Sequence, residues 1–364
     1  MSPTLLGGRR HEASRTQAII STYGVLLTVA LFTAAVTPAV ANASPPIVQR
    51  GGCLIADVRT GPAPSRVPLA FCDKYPAADP RGISLSASSS FLVPRLAAAI
   101  DIAEKRLCGA IGCAIKPGTS LRLIYYADHS VQAYTASDAQ SVTILISAAL
   151  VDSMLSTVTS LIDDLASIGG SPVTDGTPLR KWLEEIASFS GKTCPSRFRP
   201  PFGHLTAEYV NEVVAVFALA MYTFAMSHEL AHIKWGAACE TPAGADSPTI
   251  ELACDRLATN HNDRDEYGAP VGFIIAWMVV LNHLEGLLGD SARNLGPLAS
   301  LKHDGPPLLT FFPARNWTTR GNALLAEWER ICVARKGDPE WCPSRAAKAY
   351  MNEILALPRP KPCQ

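Results

Sequence analysis

The stretch "SHELAHIKW", Ser227 to Trp235, closes a run of fourteen residues without a charge, "VVAVFALAMYTFAM". Two histidines and a glutamate on the last turns of an apolar helix need a reason. In a helix, residues four apart lie on one face, so His228 and His232 present their imidazoles side by side, close enough to hold one metal ion, while Glu229 projects in an adjoining direction. Neutral imidazole is a good zinc ligand, and a carboxylate beside an open coordination position can take a proton from water. Alone, H-E-x-x-H is weak, because it recurs by chance on buried helices.

The next helical run makes the pattern specific. "TIELACDRLATN" (Thr249–Asn260) places Glu251 and Asp255 four apart on one face. Eighteen residues separate His232 from Glu251, enough for one helix to end, for "ETPAGADSP" to turn, and for a second helix to return. A catalytic zinc commonly keeps three protein ligands and a water, so Glu251 is the candidate third ligand. Asp255 is then placed to accept the other ring N–H of His228 or His232 and fix its orientation. The competing reading of Glu251 and Asp255 is a solvated acidic face with Arg256 as partner.

These two motifs resemble those of the gluzincin metallopeptidases, H-E-x-x-H followed by E-x-x-x-D. The "DRLA" ending is similar to the HtpX-like and prenyl-protease-type group, and the Lit-like peptidases are similar at the same level. The resemblance implies an α+β, zincin-like fold, a small antiparallel sheet followed by a mainly helical metal-binding core. It implies His228, His232 and Glu251 as Zn2+ ligands, Glu229 as general base and acid, and Asp255 as the orienting group. It also implies a substrate-pairing strand upstream of the metal helix, matched by "SVTILISAALVD", with Val142, Ile144 and Ile146 along an exposed edge. Cys254 stands where an alanine is usual. The family's downstream histidine and arginine are matched loosely within "KHDGPPLLTFFPAR", which offers His303 and Arg315 to stabilise an oxyanion.

The rest of the chain sets the context. It has 364 residues, 48% hydrophobic and 18% charged, enough for one large core, and its formal net charge is zero. The basic stripe of a nucleic-acid binder is missing, so nucleic acid is not an expected partner. Arg9, Arg10 and Arg15 precede an apolar segment that ends in Ala41-Asn42-Ala43, which reads as an export signal over residues 1–43. Uncleaved, the same segment is long enough to anchor the chain, since a span needs about 20 apolar residues. Membrane association is expected only in that case, and the location expected is periplasmic or secreted.

All ten cysteines follow that segment, an even count that favours disulfides in an exported chain. The pairs cheapest in loop entropy are Cys53 with Cys72, Cys108 with Cys113, and Cys332 with Cys342. Residues 44–90, rich in Pro, Ala, Ser and Gly, read as an irregular stapled segment, and 91–364 as the metallopeptidase domain. Within the latter, "SLRLIYYAD", "SVQAYTA" and "SVTILISAAL" read as antiparallel strands, and from Thr206 onward the pattern is mainly helical. "PVGFIIAWMVVLN" (Pro270–Asn282) is too short a run to span a bilayer and reads as a buried helix.

The function expected from these observations is hydrolysis of peptide bonds in a peptide or unfolded protein by metal-activated water. The competing class is an exported, disulfide-stapled interaction domain whose zinc serves stability alone. A fourth side chain completing the metal shell, with Cys239 or His261 the candidates, would favour the second class.

Overall fold

The computed structural model describes residues 45–61, 70–75, 85, 87–111, 115–137, 140–168, 178–195, 207–234, 247–262, 271–289, 316–334 and 345–364. The expected signal segment, His303 and Arg315 lie outside them.

The architecture is mixed α+β, one five-stranded sheet with a mostly helical remainder. In chain order the elements are β1 (Ile47–Arg50), β2 (Cys53–Arg59), α1 (Ala70–Lys74), α2 (Ala87–Ile111), β3 (Ser120–Tyr126), β4 (Ala133–Ser137) and β5 (Ser141–Ser147). There follow α3 (Ala148–Ile168), α4 (Pro178–Ser188), α5 (Ala207–Lys234), α6 (Ser247–Asn262), α7 (Val271–Leu288), α8 (Trp317–Ala334) and α9 (Arg345–Leu355).

The strand order is β1-β2-β3-β5-β4. The sheet is therefore not antiparallel throughout, as the three short runs suggested: β3 and β5 pair parallel, from Ser120↔Ser141 to Tyr126↔Ser147, and β4 pairs antiparallel with β5 on the outside. The chain passes over the position next to β3, lays down β4 at the edge, and returns β5 into the gap. Sequence alternation cannot distinguish this from a plain meander. The seven residues of β5 are all buried, as suits a strand with a neighbour on each side.

Residues 44–90 are also less irregular than their composition suggests. β1 and β2 form a hairpin closed at Arg50↔Cys53, and β2 then pairs antiparallel with β3 inside the sheet. Gly51 makes the turn at φ 52°, and a Cβ there would lie 2.0 Å from the carbonyl oxygen of Cys72. Only glycine allows both the left-handed backbone and that approach. Cys53 and Cys72 are disulfide-bonded, which ties α1 to the sheet.

The two faces of the sheet bury different cores. On one, Leu121, Leu123, Val142, Ile144 and Ile146 pack against the helices in a single large core. On the other, Ile55, Ile124 and Leu145 meet Phe71, Tyr75 and Tyr126 in a smaller one. Within the large core α2 and α3 both pack on α5, and α7 packs on α3 and α8. Among the described residues α7 is the one helix long and apolar enough to cross a membrane, yet its whole length is buried by the protein. Its apolar surface is the demand of a central helix, as expected for "PVGFIIAWMVVLN".

The C-terminal tail is fixed as firmly as the helices. Cys363 is disulfide-bonded to Cys194, 169 positions earlier, a pairing that local loop entropy does not suggest. The Cys363 N–H donates to the carbonyl of Leu287, and that of Gln364 to Lys192. The tail passes so close to α7 that a Cβ on Gly286 would lie 2.8 Å from the carbonyl oxygen of Pro360. Cys108, Cys254 and Cys332 are disulfide-bonded as well.

Candidate metal centre

The last turns of α5 present His228 and His232 on one face, their ring centroids 4.8 Å apart and nearly perpendicular. The two Nε2 atoms stand 3.1 Å apart. From α6, which packs along α5, Glu251 brings Oε2 to 3.2 Å from His228 Nε2 and Oε1 to 3.7 Å from His232 Nε2. Ligands about 2.0–2.1 Å from a tetrahedral zinc are separated by about 3.3 Å, and the two imidazole nitrogens, with one carboxylate oxygen of Glu251 toward each, have separations close to that. Among the described residues this is the one group of three such side chains whose ligand atoms converge, and no fourth joins them. Cys239 and the side chain of His261 lie outside that set.

Behind the triad sits a buried charge network. Asp255 is fully buried, and its Oδ1 lies 3.0 Å from Nδ1 of His228, close enough for an ion pair but without the alignment of a hydrogen bond. Arg320 donates to both oxygens of Asp255, from Nε and Nη2 at 2.6 Å each, and its Nη1 lies 3.1 Å from Oε2 of Glu251. One guanidinium thus contacts both Glu251 and the Asp255 carboxylate that lies beside His228. Arg320 in turn lies over the ring of Trp317, 4.3 Å from its centroid. The Trp317 Nε1–H donates to Glu285 of α7, which Arg359 of the tail approaches at 3.5 Å.

The first turn of α8 fixes this arginine. Asn316 accepts the N–H of Thr319 on its side chain and that of Arg320 on its carbonyl, an N-cap followed by apolar residues at helical spacing. Arg320 was not singled out from the sequence, where Arg315 stood closer to the expected histidine. Its signal is the charge balance: two carboxylates on the buried face of α6 need a cation, and a capped helix beginning at Trp317 supplies one.

Electrostatics follow the geometry. Burial alone would lower the pKa of His228, but Asp255 and Glu251 outweigh it and raise it to about 9 in the absence of metal. His232 is lowered, because burial and the neighbouring His228 cation outweigh the Glu229 and Glu251 carboxylates. Glu251 and Asp255 are both held down: burial opposes their ionisation, but Arg320 and His228 prevail. The second ring nitrogen of His232, Nδ1, lies 3.5 Å from the Sγ of Cys254 and, among the described residues, meets no carboxylate.

Glu229 is 8% exposed and accepts a hydrogen bond at Oε2 from Thr135 of β4, 2.9 Å long. The strand next to the metal helix is therefore β4. Val142, Ile144 and Ile146 do not offer a free edge, because β5 is flanked by β3 and β4 and the three side chains are buried in the core. Thr135, like Arg320, was not legible as a site residue.

No family model, no curated protein and no solved structure matches this chain.

Proposed function

We propose that the chain is a zinc-dependent peptidase of the zincin type. The reading rests on one observation: the Nε2 atoms of His228 and His232 lie 3.1 Å apart, and the Glu251 carboxylate approaches them with Oε2 at 3.2 Å and Oε1 at 3.7 Å, a cluster that could hold a metal ion. A zinc ion held there would lower the pKa of water toward ~7 and polarise a carbonyl. Glu229 accepts the proton of the attacking water and delivers it to the departing amine nitrogen. Asp255 keeps His228 in the tautomer that leaves Nε2 for the ion, and Arg320 keeps Asp255 and Glu251 in place.

The substrate proposed is an extended peptide or an unfolded protein. Among the described residues β4 is the last strand of the sheet and pairs with β5, and a peptide backbone added to the sheet at β4 would lie next to the helix that carries the two histidines. The disulfides support an oxidising location, outside the cytoplasm. A zinc-stabilised interaction domain is the competing reading, and it requires a closed shell.

The test is cleavage of an unfolded protein by the zinc-loaded chain. Cleavage should cease with a chelator, return with added zinc, and be absent from Glu229→Gln that still holds zinc. A zinc-loaded chain that cleaves nothing, or a fourth protein ligand on the ion, would refute the peptidase reading.

A further inference from the structure

Thr135 lies in β4, the strand beside the metal helix. Side chains alternate along a strand, and Ala136 and Tyr134 belong to the small core on the far face of the sheet. Thr135 therefore points toward the helices, where its hydroxyl reaches Glu229 on α5, 94 positions away in sequence. The hydroxyl has one proton to give. Oε2 of Glu229 is at 2.9 Å and the carbonyl oxygen of the same residue at 3.4 Å, so the carboxylate is the better acceptor.

Thr135 is the one side chain that hydrogen-bonds the Glu229 carboxylate among the described residues. The bond ties one oxygen of the carboxylate, Oε2, to β4 and does not engage Oε1. The residue that does this also forms part of the backbone of the sheet-edge strand. We infer that Thr135 is a positioning residue that registers the proton-accepting carboxylate of Glu229 to the strand along which an extended substrate lies. Part of this inference rests on the peptidase reading. The hydrogen bond and its effect on Glu229 do not.

The experiment compares zinc-loaded wild type with Thr135→Val, which keeps the shape and β-branching but has no hydroxyl, and with Thr135→Ser, which keeps the hydroxyl. Crystal structures should show the Glu229 carboxylate turned away from β4 in Thr135→Val and back on the strand in Thr135→Ser. Zinc content should be the same in all three. In turnover, Thr135→Val should lose about 10- to 100-fold in kcat with KM within about twofold of wild type, and Thr135→Ser should recover to within about threefold.

An unmoved Glu229 in Thr135→Val, kcat within about twofold of wild type, or a rise in KM alone would overturn the inference. If the wild type cleaves nothing, the peptidase reading falls and the position of Glu229 in the structures decides on Thr135 alone. Thr135→Ala takes the place of the valine variant should that one fail to fold.

Discussion

The guanidinium of Arg320 grips both oxygens of Asp255 at 2.6 Å, and Asp255 in turn lies 3.0 Å from Nδ1 of His228. An arginine on α8 is thereby linked to an imidazole on α5 through a carboxylate on α6. Arg320→Met removes the cation and leaves two carboxylates buried without it, which should cost about 3–5 kcal/mol of stability. Arg320→Lys should not rescue it, since an ammonium cannot match the two-pronged contact. Denaturant unfolding of the metal-free proteins measures both, and a loss under about 1 kcal/mol in Arg320→Met would refute the assigned role.

The ligands and the proton acceptor should separate cleanly by metal analysis. Glu251→Ala and His228→Ala should lose zinc to a similar degree, while Glu229→Gln should bind it normally. Asp255→Asn should bind it about 10- to 100-fold more weakly, the usual cost of losing a carboxylate behind a histidine ligand. Competition with a chromophoric chelator gives the affinities. Full occupancy in Glu251→Ala would remove Glu251 from the ligand set.

Acidity should oppose metal uptake through His228. In the metal-free protein its pKa is raised from 6.5 to about 9, so the proton must leave before Nε2 can bind zinc. Affinity should rise about tenfold per pH unit as the pH approaches that value, and level off above it. The same shift stabilises the metal-free fold in the opposite sense. Its contribution is complete below pH 6.5 and disappears as the pH rises through about 9. Calorimetric titration in two buffers of different ionisation enthalpy should find about one proton released per zinc at pH 7. No release would mean that His228 is already neutral.

The C-terminal tail offers a fourth check. Replacing Cys194 and Cys363 by serine opens a loop 169 residues long, worth about 5 kcal/mol by chain entropy alone. Gly286→Ala strikes the same tail sterically, with its new Cβ 2.7 Å from Cγ of Arg359. Both variants should lower the thermal midpoint. A disulfide variant as stable as wild type would show the tail to be held by its backbone hydrogen bonds alone.

The readable parts of the chain were those set by local spacing. Four-residue steps brought His228 to His232 and Glu251 to Asp255, and the short uncharged run Pro270–Asn282 reads as a buried helix, which α7 is, although its 18 residues are long and apolar enough to cross a membrane. What spacing could not carry was the meeting of distant segments. The strand expected beside the cleft is the one that carries Val142, Ile144 and Ile146, which is β5. The sheet order places β4 there instead, because a strand's neighbours are chosen by tertiary packing and not by its own alternation. Arg320 and Thr135 escaped for the same reason: each acts on a group about 65 to 94 positions away, and nothing in its own neighbourhood is unusual. The proline- and glycine-rich character of residues 44–90 concealed a hairpin, since Gly51 is the turn itself and not a sign of disorder.

The bond between Cys194 and Cys363 makes the interval between them a covalent ring. His228, Glu229, His232, Glu251, Asp255 and Arg320 are all inside it, and Thr135 is outside. A single nick anywhere on that ring therefore cannot release α5 from α6 and α8, because the two new ends remain joined through sulfur. A clipped molecule would migrate as one species until it is reduced, and would keep the candidate metal-binding side chains on one connected body.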